Sequence, residues 1–122
     1  MAFHCLDFDQ SEDAHGTVTW DALASPAPAH NAALLAEVAR LLDQLHAMHG
    51  APGPLEESHV WDCDLQIRLE DGTRLDWHWH TQRLQYSCAQ VPMDTPSRLT
   101  LSLCLTGGPA LAHTLEQAAL NP

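Results

Sequence analysis

Lysine is absent from the 122-residue chain, and five arginines stand against sixteen aspartates and glutamates, leaving a formal charge of -11 with histidine neutral. Duplex nucleic acid is bound through counterion release by basic side chains, and anionic bilayers attract basic clusters. Having neither, the chain is read as binding no nucleic acid and no membrane. No apolar run approaches the ~20 residues of a membrane-spanning helix. Met1–Asp7 carries no basic stretch of the kind that opens a signal peptide, so the expectation is a soluble cytoplasmic protein. C-x-x-C pairs, H-E-x-x-H, G-x-S-x-G, the lysine-bearing phosphate loop and G-x-G-x-x-G are all missing. Their absence removes zinc knuckles, thioredoxin-type redox chemistry, zincin proteolysis, serine hydrolysis and the common nucleotide-binding turns.

Cys5, Cys63, Cys88 and Cys104 are scattered, and in a cytoplasmic protein they are expected as reduced thiols, most of them buried. Hydrophobic residues make up 45% of the chain and charged residues 17%, a globular balance that places one domain over 1–122.

Between Asn31 and His49, Leu34, Leu35, Val38, Leu41, Leu42, Leu45 and Met48 recur at helical spacing. They predict an amphipathic helix with Glu37, Arg40, Asp43, Gln44 and Ala47 on its other sides, stopped by Gly50 and Pro52. From His59 the period changes to two. Trp61, Cys63, Leu65, Ile67 and Leu69 alternate with Asp62, Asp64, Gln66, Arg68 and Glu70, the pattern of a half-buried strand. Leu75, Trp77 and Trp79 alternate in turn with Arg74, Asp76, His78 and His80. Apolar residues stay on one face only if opposed positions sum to an even number. That requires a three-residue loop with Gly72 in the left-handed conformation, opposing Leu65 to Trp77, Asp64 to His78 and Asp62 to His80.

A short strand with Leu84, Tyr86 and Cys88 on one side is expected next, then a clean strand over Arg98–Thr106 with Leu99, Leu101, Leu103 and Leu105 inward. Pro109 opens a last helix that buries Leu111, Leu115 and Ala118. A strand is also expected over Phe3–Phe8. The sum is an α+β fold: a single antiparallel sheet of about four to five strands with two helices packed on one face.

Four features could carry chemistry. His78 and His80 project from one strand face, and the inferred register adds Asp62 and Asp64; two imidazoles with carboxylates suit a divalent transition metal such as zinc. The same residues also make an ordinary solvated face with cross-strand charge pairs, which is the preferred reading. Trp61, Trp77 and Trp79 share the apolar parity and could line a hydrophobic ligand pocket, although filling the core beneath the helix explains them better. His46 and His49 end the long helix, where cationic histidine complements the dipole. Asp7–Asp13 begins like a calcium loop but has Glu12 where glycine is required, so it reads as an acidic loop able to dock a basic partner.

No catalytic residues and no cofactor are assigned. The functional expectation is a small acidic protein-binding or adaptor domain without catalysis, engaging a protein partner favoured by charge to be basic, as a monomer or homodimer. The alternatives are a metal-binding protein or metal-dependent enzyme built on His78, His80, Asp62 and Asp64, and a small hydrophobic ligand binder lined by tryptophan. Nine histidines further imply that acidification cancels much of the negative charge.

Overall fold

A computed structural model describes residues 5–75, 78–80, 85–87 and 98–120, with backbone alone for 75, 78–80, 85–87 and 119–120. Strands β1 (Phe8–Glu12) and β2 (Val18–Ala24) form a hairpin, and helix α1 (Asn31–His49) follows. Strands β3 (Trp61–Leu69), β4 (Arg74–Leu75), β5 (His78–His80), β6 (Gln85–Ser87) and β7 (Leu99–Gly107) lead to helix α2 (Pro109–Leu120). The main sheet has the order β1-β2-β7-β3-β4 and is antiparallel throughout its pairings. Because β2 and β3 each run antiparallel to β7, they run parallel to each other. Helix α1 makes that crossover and the late strand β7 fills the slot between them. Strands β5 and β6 form a separate two-stranded ladder, and β6 lies against α1.

The helices cover one face of the sheet. Leu99, Leu101, Leu103 and Leu105 of β7, Trp61 and Ile67 of β3, and Val18, Trp20 and Ala22 of β2 point into a core closed by Leu34, Leu35, Val38, Leu41, Leu42 and Leu45 of α1 and Leu111 and Leu115 of α2. The α+β architecture expected from periodicity is the architecture found. Helix α1 has the expected limits, and Gly50 closes it by donating its N–H to the His46 carbonyl. Gly107, paired with both Val18 and Trp61, has no room for a side chain. A Cβ there would lie 2.7 Å from Leu111 Cδ2 and 2.9 Å from the Val60 carbonyl.

The β3–β4 connection also follows the sequence argument. Gly72 takes φ +89° and donates to the Leu69 carbonyl, Leu69 N–H donates to the Thr73 carbonyl, and the ladder opposes Ile67 to Leu75 and Arg68 to Arg74. That is the even-sum register.

Other expectations need correction. The first strand begins at Phe8 and occupies the acidic stretch read as a loop; residues 1–4 lie outside the described part. Strand β2 is not legible in the sequence, because exposed Leu23 interrupts its alternation. Met48 is exposed at the end of α1 rather than part of its apolar stripe. Glu37 is buried rather than solvated: its Oε2 accepts hydrogen bonds from Cys5 N–H at 2.9 Å and Leu6 N–H at 2.8 Å, pinning the incoming chain to α1.

Candidate functional site

Across the helix-free face, the register lines up polar residues in rows. Asp9, Asp21, Cys104 and Asp64 form one row across β1, β2, β7 and β3, and Ser11, Thr19, Thr106 and Asp62 form the next. Leu23, Ser102 and Gln66 make the middle row; Thr100, Arg68 and Arg74 lie beyond it. Four aspartates therefore gather at one end of the strands, and guanidinium groups, with Glu70 among them, at the other. Arg98 extends the basic end, donating from Nη1 to the Ser25 carbonyl at 2.6 Å while its own N–H donates to Glu70 Oε1 at 2.9 Å.

The four residues considered as metal ligands fall on two different ladders. Asp62 pairs with Thr106 and Asp64 with Cys104 on the main sheet, whereas His78 pairs with Ser87 and His80 with Gln85 on the β5–β6 ladder. The described β3–β4 ladder comprises the pairs at Ile67 and Arg68, and the side chains of His78 and His80 lie outside the described residues. Trp61 is fully buried, its indole Nε1–H donating to the Gly50 carbonyl at 2.8 Å, so it ties β3 to the end of α1. Trp77 and the Trp79 side chain lie outside the described residues.

Near the end of α1, His49 Nε2 shares a 2.8 Å hydrogen bond with Thr114 Oγ1, joining α1 to α2. Cys5, Cys63 and Cys104 are free thiols. Burial, with Asp62 and Asp64 adding to it, pushes the Cys63 thiol up to about 12, which removes its thiolate at neutral pH. Cys104 is likewise raised, first by desolvation and then by its hydrogen bond to Asp21.

A cleft of about 210 Å³ opens on the helix side between the β1–β2 hairpin and α2. Gln10, Ser11 and Glu12 of β1, Val18 and Trp20 of β2, and Ala112 and Glu116 of α2 line it. Register explains most of this composition: Gln10 opposes Trp20 and Glu12 opposes Val18, so these two polar β1 residues sit beside apolar β2 residues on the face that α2 covers, whereas Ser11 opposes Thr19. Ala112 and Glu116, four apart on α2, close the other side. The product is an apolar floor with one carboxylate from the strand and one from the helix.

Strand β1 is also the edge of the sheet, pairing among the described residues with β2 alone. An edge strand presents a row of backbone donors and acceptors to any extended segment. Its Asp9 and Glu12, both exposed, set the sign of what can approach. The acidity of Asp7–Asp13 is legible in the sequence, but the cleft is not. Its walls come from segments about a hundred residues apart, joined by a hairpin that the sequence did not announce. Set beside protein families, curated proteins and solved structures, the chain matches none of them.

Proposed function

We propose that this chain is a non-catalytic, acidic, cytoplasmic adaptor domain that docks an extended basic segment of a protein partner along β1. The observation that carries the reading is the cleft beside β1, the edge strand among the described residues, where Glu12 and Glu116 flank the floor of Val18, Trp20 and Ala112. A lysine or arginine suits such a place: its aliphatic stem lies along the apolar floor while its charged head meets the carboxylates. Backbone pairing with β1 supplies affinity, and the side chain entering the cleft supplies selectivity, as in strand-addition recognition. The charge of -11 adds steering, raising the encounter rate of a basic partner. Among the described residues no helix is long and apolar enough to cross a membrane, which is compatible with this reading.

Calorimetric titration with a short peptide alternating lysine and valine tests it. Saturable one-site binding is expected, weakened at least tenfold, about 1.4 kcal/mol, in the Glu12→Gln/Glu116→Gln variant. A peptide alternating glutamate and valine should give no heat. Equal binding of the lysine peptide by the variant and the wild type overturns the proposal.

A further inference from the structure

The helix-free face of the sheet is charged in a way that fits a second copy of itself, and we infer that the protein forms a two-fold dimer through it. Three of the five arginines, Arg68, Arg74 and Arg98, occupy one end of the strands together with Glu70, which accepts the Arg98 N–H, while Asp9, Asp21, Asp62 and Asp64 occupy the other. Between them the middle row holds Leu23, Ser102 and Gln66, and Leu23 is 73% exposed. Asp21, Thr100, Ser102, Asp64, Arg68, Arg74 and Arg98 are exposed as well. Like charges directly opposite one another disfavour a sheet, yet this face places Asp9 against Asp21 and Arg68 against Arg74. A partner of opposite polarity at each end relieves both pairs.

Two faces stack isologously only about an axis lying in the interface plane. An axis parallel to the strands would set carboxylates on carboxylates. An axis along the middle row inverts each strand and sets the acidic end of one copy on the basic end of the other. The register then fixes the contacts. On β3, Asp64 and Arg68 are equidistant from Gln66, so Asp64 meets the partner's Arg68 and the reverse. On β2, Asp21 and Ser25 are equidistant from Leu23, so Asp21 meets the partner's Ser25, where the partner's Arg98 guanidinium is anchored. Leu23 stacks on the partner's Leu23 at the axis. Facing sheets sit ~10 Å apart, a gap that an arginine and an aspartate span together.

The four longer strands present about 20 Å by 27 Å in projection. With side-chain relief, two such faces bury on the order of 1,200 Å², enough for a specific interface. The cleft used for partner docking opens on the opposite, helix-covered side, so dimer formation leaves it accessible. Added salt screens both the mutual repulsion of two acidic copies and the local ion pairs, so charge exchange is the cleaner test.

Sedimentation velocity at micromolar concentration should show a wild-type dimer. Asp64→Arg and Arg68→Asp each create two repulsive contacts per dimer, raising the dissociation constant on the order of 100-fold. Mixing the two variants should restore a dimer, as should the double exchange Asp64→Arg/Arg68→Asp on one chain. Circular dichroism establishes that the variants fold, since both positions are exposed. Independently, Leu23→Cys in the otherwise unchanged chain should be joined to a second copy by a short homobifunctional thiol cross-linker that spans the ~10 Å between facing strands, giving a dimer band on a denaturing gel that the wild type lacks. A monomeric wild type, single variants that dimerise like wild type, or exchanged variants that stay monomeric each overturn the inference, as does Leu23→Cys that fails to cross-link.

Discussion

Glu37 and Cys63 show how a single residue's role depends on what the rest of the chain brings to it. Glu37 lies on the flank of α1 that periodicity assigns to solvent, but the segment entering β1 crosses that flank with two backbone N–H groups needing an acceptor. Nothing local in the sequence reports a contact between positions some thirty apart. Glu37→Ala leaves both donors unsatisfied and is expected to lower stability by about 2–4 kcal/mol in urea unfolding, whereas Glu37→Gln keeps an acceptor and loses less. Cys63, by contrast, lies on the parity that alternation alone assigns to the core, and it is half-buried against that core. With its thiol pushed up from 9.0 to about 12, the folded state keeps a proton that the unfolded state releases across that window. Stability should therefore fall as pH rises from about 9 toward 12, by up to about 1.4 kcal/mol per pH unit from this group. Denaturation curves at several alkaline pH values should show the steepest part of that fall removed in Cys63→Ala.

At the scale of elements, legibility follows amphipathicity. Helix α1 and strands β3 and β7 each bury one face and expose another, so their periods are written in the sequence. The loop after β3 was readable for a different reason: one glycine at a positive-φ position sets the register of the ladder. The β1–β2 hairpin is not readable, because β1 is an edge strand exposed along most of its length and, beyond Phe8, polar on both faces. Pairing with β2 holds it, together with the turn in which Asp13 accepts from His15 N–H at 2.8 Å and Thr17 N–H at 3.0 Å. Those bonds hold the Asp13 carboxyl below its usual range. The stabilisation is present above the ordinary carboxylate range and is lost as pH falls through the depressed value. Asp13→Ala should lower Tm at neutral pH, and the difference from wild type should shrink toward strongly acidic pH in thermal melts.

For the whole molecule, composition gives the sign of the charge that the proposed partner would carry, while the proposed docking surface requires the fold. A net charge of -11 describes a field, and only the sheet order places β1 at an edge beside α2. The rows of charge on the helix-free face are likewise invisible along the chain, since Asp9, Asp21, Asp64 and Cys104 come into line only through three inter-strand registers. Function in this reading resides on two surfaces, a strand edge for a basic partner and a sheet face for a second copy. Amide hydrogen exchange across β1, with and without the lysine–valine peptide, tests the first of these most directly. Slowed exchange at β1 amides directed away from β2, absent in Glu12→Gln/Glu116→Gln, is the expected result; unchanged β1 exchange at saturating peptide would contradict docking along that edge.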